Sequence, residues 1–127
     1  MYHDNRMKRV AIVFAVLLVV LVVLHYHVRE GFQTVEEMTV IICKADWCGH
    51  CQKASPEFDR LVAASPLALS NGKKAVIKRL DADKDKAELA NYTIRGFPTI
   101  LVQNGGETIE YPNERTYDGV VQFLNQM

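Results

Sequence analysis

Fifteen consecutive apolar residues, Val10 to Leu24 (VAIVFAVLLVVLVVL), constrain this chain more than any other stretch. A helix built from them is apolar all round and has no face to give to water. The bare run is roughly 22 Å long as a helix, against about 30 Å of bilayer hydrocarbon. Met7–Arg9 and His25–Val28 lengthen it, and the long or amphipathic side chains of Lys8, Arg9, His25, Tyr26 and His27 can reach the interface. A cleaved secretory signal shares this basic-then-apolar layout, but its cleavage site wants small residues in an A-x-A-like pattern. The residues that follow the run, HYHVREG, contain no such pair. The expected organisation is a short cytosolic tail over 1–9, a membrane anchor over 10–28, a tether over 29–38 and one small domain over 39–127.

Charge sets the expected orientation. Arg6, Lys8 and Arg9 precede the run, while only Arg29 follows closely, beside Glu30. Positive flanks stay in the cytosol, which sends everything after Val28 across the membrane. The domain then lies in an extracytoplasmic space, the endoplasmic reticulum lumen or an equivalent oxidising compartment, where disulfides persist. From Arg29 onward, twelve Lys/Arg mix with fourteen Asp/Glu. That interspersed, near-neutral balance gives no nucleic-acid surface.

Within the domain, Thr39–Lys44 (TVIICK) reads as a strand buried on both faces. Cys51–Ala64 reads as a helix with Ala54, Phe58, Leu61 and Val62 on one side and Pro56 inside it. Ser65–Lys74 reads as a loop, Ala75–Leu80 as a second strand and Lys84–Asn91 as a short charged helix. Thr99–Gln103 and Thr108–Tyr111 flank a tight Asn104-Gly105-Gly106 turn. Thr116 caps a last helix. The order β-α-β-α-β-β-α implies an α/β domain with a mixed four-stranded sheet and helices on both faces.

The chemistry concentrates in Trp47-Cys48-Gly49-His50-Cys51, at the carboxyl end of the first strand, where α/β sheets place their sites. The third cysteine, Cys43, completes a C-x4-C-x2-C spacing, but an iron–sulfur site needs a fourth cysteine and zinc a fuller ligand set. Neither metal nor cofactor is expected. A static disulfide between Cys48 and Cys51 would close too short a loop to stabilise much. Redox chemistry explains the pair better. Cys48 at a helix start has its thiolate favoured by free N–H groups and the helix dipole, and a protonated His50 would add to this. Cys51, deeper in the helix, is the expected resolving thiol.

WCGHC, the helix proline Pro56, IRGFPTI at 94–100 and ERTYDGVVQFL at 114–124 together resemble a catalytic domain of protein disulfide isomerase, within the thioredoxin superfamily. The resemblance implies that Cys48 is the nucleophile, Cys51 the resolver, and Gly49 and His50 the residues between them that tune the pair. It implies a cis Pro98 beside the cysteines, with Trp47, Phe97 and Pro98 forming the surface that meets an extended substrate. Arg115 matches an arginine that swings towards the resolving cysteine and lowers its pKa. The chain departs from the family pattern twice. A strand and helix that usually precede TVIICK are missing, leaving a sheet edge to be covered. Ile42 stands where the family buries an acid that shuttles a proton to the resolving thiol, so release of mixed disulfides is expected to be slow.

The expected protein is a membrane-anchored thiol–disulfide oxidoreductase that acts on cysteine-containing client proteins and is recycled by a separate redox partner. Its rivals are a membrane-tethered thioredoxin-type reductase and a redox-inactive, chaperone-like binding module. Cys43 is expected to be an inert buried thiol.

Overall fold

The computed structural model describes residues 2–30 and 35–127. It divides into two compact units, residues 1–34 and 35–127. The first is a single helix, α1 (Tyr2–Glu30), continuous through the residues expected to form the tail. Within Asp4–Val28 an 18-residue window reaches a mean hydropathy of 2.7 and is not buried, so by length and composition the helix is sufficient to cross a membrane. Near its start Lys8 donates to Asp4 at 2.8 Å, one turn away. Of the tether expected over 29–38, residues 31–34 lie outside the described residues, and Glu37 and Met38 belong to the first strand.

The second unit contains β1 (Glu37–Lys44), α2 (Gly49–Ala63), β2 (Leu67–Ala68), β3 (Lys74–Asp81), α3 (Lys86–Leu89), β4 (Thr99–Asn104), β5 (Glu107–Glu110) and α4 (Tyr117–Asn125). The sheet has five strands in the order β2-β3-β1-β4-β5, not four. β1 is central, parallel to β3 and antiparallel to β4. That explains its unbroken apolar sequence, since helices cover both of its faces. Strand periodicity sends Met38, Val40 and Ile42 to a core shared with Phe58 and Leu61 of α2 and Val120 and Leu124 of α4. Ile41 and Cys43 point the other way, into a smaller core with Leu80, Leu101 and Leu89 of α3.

The additional strand lies inside the segment expected to be a loop. Leu67 and Ala68 pair antiparallel with Ala75 and Lys74. Two residues carry no periodic signal, but their backbone pairs with part of the outer edge of β3. Among the described residues two peptide bonds are cis, Ser65–Pro66 and the expected Phe97–Pro98. The β4–β5 turn is tighter than expected: Asn104 pairs with Glu107, leaving Gly105 (φ 58°) and Gly106 (φ 90°) as its two central residues. Both adopt the left-handed region that such a turn requires and that only glycine takes without strain. α3 is a single turn, four residues against the eight expected. Thr116 caps α4 as expected, accepting from the Gly119 N–H at 3.1 Å.

Candidate active site

α2 begins at the cysteine pair. Cys48 is its N-cap, with extended backbone (φ −86°, ψ 119°), and its sulfur accepts the Cys51 N–H at 3.4 Å. A thiol therefore occupies the position where a helix normally places a serine or aspartate oxygen. The Cys48 thiol also lies 3.4 Å from the Phe97 carbonyl oxygen, to which it donates. Cys51 is one turn inside the helix, 4% exposed, and its sulfur accepts the Ala45 N–H at 3.5 Å. All three cysteines are free thiols.

The two site thiols have opposite acidities. Cys48 is held below the ordinary thiol value, first by a hydrogen bond from the Cys51 thiol and then by the Cys51 N–H. Weaker help comes from the His50 N–H and the Arg115 charge. Burial pushes Cys51 up to about 11, and the hydrogen bond it gives to Cys48 adds to this. One thiol is thus prepared to attack and the other to stay protonated until needed. Cys43, wholly buried, is also pushed to about 11 by burial.

The flanking residues divide into those that touch the pair and those that frame it. Gly49 and His50 are exposed in the first turn of α2. The contribution of His50 at Cys48 comes from its backbone N–H rather than its imidazole. A Cβ at Gly49 would meet nothing within 4 Å, so space does not demand glycine there. Pro98 is buried, and Phe97 packs against Ala45, Cys48 and Cys51. Trp47 is 67% exposed, with its ring edge-on to Phe97 at 6.0 Å, and so is not a core residue. Arg115 is exposed, and its charge adds the weakest of the contributions acting at Cys48.

A polar cluster beside the pair was not legible in the sequence. Lys44, the last residue of β1, pairs with both Asp46 and Asp81, the latter at 2.6 Å. Asp81 is buried and also accepts the N–H groups of Asp83 and Lys84. Asp83 in turn accepts the Trp47 indole N–H at 3.1 Å, and Gln52 donates to the Asp46 carbonyl at 2.8 Å. The cluster ties the Asp46–Trp47 loop to the turn after β3. Its residues are far apart in sequence and individually ordinary, so no local pattern could have found them. Lys44, followed first by backbone N–H bonds, holds the Asp81 carboxyl down to about 2, from 3.8. The folded state therefore gains stability from Asp81 above about pH 4 and loses it as the pH falls towards 2. Asp81→Asn should lose part of this acid limb, read as a flatter melting temperature between pH 4 and pH 2.

A central β1 flanked by β3 and β4, helices on both faces, a cysteine-capped α2 and a cis proline beside it define a thioredoxin fold. The family model described as Thioredoxin matches residues 21–126. The chain belongs to the thioredoxin family. It is 39% identical over 101 residues to a protein disulfide-isomerase of Datisca glomerata, covering 75% of this chain and 19% of that protein. It is 36% identical over 94 residues to a protein disulfide-isomerase of Ricinus communis, covering 71% of this chain and 18% of that one. The chain thus spans about a fifth of the length of these relatives. Among solved structures, the zinc-bound form of human ERp44 superposes with a TM-score of 0.59 at 22% identity, over 72% of this chain and 26% of that one. The first thioredoxin domain of mouse protein disulfide-isomerase A4 gives 0.57 at 22% identity, over 70% and 61%. These two likenesses concern the fold.

Proposed function

We propose that this chain is a membrane-anchored thiol–disulfide oxidoreductase of the disulfide-isomerase type. The observation that carries the reading is the asymmetry of its thiols: Cys48 acidified at the start of α2, Cys51 raised by burial one turn on. Cys48 attacks a client disulfide as the thiolate, forming a mixed disulfide. Cys51 then attacks the Cys48 sulfur, releasing the client thiol and leaving Cys48–Cys51 oxidised. Run backwards, the same steps donate a disulfide to a client dithiol. Trp47 and Phe97 present an apolar rim beside the pair, and Pro98 shapes the backbone that an extended client meets. A separate redox partner resets the pair.

Direction follows from the potential. Protein disulfide isomerase lies at about −180 mV and thioredoxin at about −270 mV, a gap of roughly 4 kcal/mol for two electrons. Equilibration of Cys48/Cys51 with glutathione should give a value near the former, together with turnover in an insulin-reduction assay. A value near the latter would make the chain a tethered reductase. Absence of turnover would leave a binding module.

The helix α1 supports a single-pass anchor with the domain on the extracytoplasmic side. A membrane-impermeant thiol reagent should label reduced Cys48 in right-side-out surface vesicles. In vesicles from an internal organelle it should do so only after permeabilisation. Labelling from the cytosolic face would overturn this topology.

A further inference from the structure

Strand alternation places Ile42 and Lys44 of β1 on the face that carries α2, and register sets Arg79 and Asp81 of β3 beside them. Ile42 and its neighbours are packed against Phe58. Beyond Ile42, where the strands end, packing stops and a cleft of about 210 Å³ opens. Its walls include Lys44, Asp46, Ser55, Asp59 and Arg79, and Cys51 forms part of its lining. Room for a few waters remains, at about 30 Å³ each. The charged walls are held in place: Arg79 pairs with Asp59 at 2.6 Å, and Lys44 bridges Asp46 and Asp81. Cys51 thus lines a polar cleft as well as meeting Cys48.

We propose that this cleft is the path by which Cys51 exchanges its proton with solvent, and that Lys44 is the positioning charge that favours the Cys51 thiolate during resolution. The proposal rests on reading Cys48 and Cys51 as a redox pair. Charged and titratable groups reach this region from every packed element. They are Cys48, His50 and Asp59 of α2 and its cap, Lys44 and Asp46 at the end of β1, Arg79 and Asp81 of β3, Lys84 after it, and Arg115 on the Cys48 side. Burial dominates the Cys51 pKa, and the Lys44 charge opposes it as the weakest of the contributions acting at that thiol. In the step itself, the Cys51 proton passes to cleft water and the thiolate attacks the Cys48 sulfur. The Cys48–client S–S bond breaks as Cys48–Cys51 forms. The client sulfur leaves as a thiolate and is protonated by solvent. The pair is oxidised by two electrons and the client reduced by the same two. No buried carboxylate is needed, which fits an isoleucine at position 42.

Rapid mixing of the reduced full-length chain with dithiobisnitrobenzoate separates the steps. Attack by Cys48 releases one nitrothiobenzoate, and resolution by Cys51 releases a second. Cys51→Ala should abolish the second phase. If that phase persists, the redox-pair reading fails, and the cleft proposal with it. With that control in hand, Lys44→Met should slow the second phase by about two- to threefold across the pH range below the Cys51 pKa, equivalent to raising that pKa by about 0.3–0.5 unit. The first phase should not change, and Lys44→Arg should restore the second. Ser55→Leu, which fills the cleft and leaves every charge in place, should slow the second phase several-fold. A second-phase pH profile unchanged from the parent in either folded variant overturns the proposal. Should Lys44→Met fail to fold because Asp81 loses its partner, Ser55→Leu decides alone.

Discussion

Cys51→Ser should convert a passing intermediate into the main product. With the nucleophile intact and acidified by the surviving Cys51 N–H, Cys48 still attacks client disulfides. No thiol then remains one turn away to expel the client, so mixed disulfides accumulate and appear as adducts that vanish on reduction. Cys48→Ser should form none and should lose insulin reduction down to the uncatalysed level. The remaining thiols cannot replace it: Cys51 is 4% exposed with its pKa pushed to about 11, and Cys43 is wholly buried in the core on the other face of the sheet. The serine hydroxyl keeps a donor at position 51, where the Cys51 thiol gave the Cys48 thiolate its largest support. Trapping by Cys51→Ser should therefore rise with pH around the same midpoint as Cys48 in the parent. Equal trapping by both variants, measured by non-reducing electrophoresis, would reverse the assigned roles.

Ile42→Glu should be the costliest single change to stability. Ile42 is fully buried at the centre of the sheet, between Arg79 of β3 and Ile100 of β4 in register, and packs in the main core. The change removes a well-packed aliphatic side chain and buries a carboxyl, together about 3–5 kcal/mol. A domain of this size has about 5–15 kcal/mol in total. The Arg79 guanidinium, already held by Asp59, offers limited relief. Burial favours the neutral acid, so the introduced group has a higher pKa folded than unfolded. Its destabilisation is then least near pH 4 and grows as the pH rises through the folded-state value. Urea melts at pH 4 and pH 7 read both effects, and equal stability of variant and parent at pH 7 would contradict them. The open cleft beside Cys51 also changes the expectation of slow release. With the cleft that Cys51 lines as the proposed proton path, the variant should resolve mixed disulfides no faster than the parent. A marked acceleration would show that proton transfer limits the parent and that the cleft does not suffice.

The sequence by itself determined the apolar N-terminal helix, the central strand, the helix after the cysteines, the capped last helix and the position of WCGHC at a strand–helix junction. Each of these rests on a local signal: an unbroken apolar run, a β-branched stretch, a helical stripe, a capping threonine. The motif order was enough to reach the family. Only the tertiary structure decided the fifth strand, because two residues have no period and form a strand only where β3 presents an unpaired edge. It also shortened α3 to one turn and brought the Arg115 charge to bear on Cys48. The largest addition is the polar surround of Cys51. Lys44 at a strand end, Asp59 on a helix and Arg79 on a neighbouring strand are unremarkable residues far apart along the chain. They meet because parallel pairing of β1 with β3 aligns their ends and α2 crosses the same face. Sequence patterns record which face a residue takes, but a cleft is set by where packing stops, and that depends on all the elements at once.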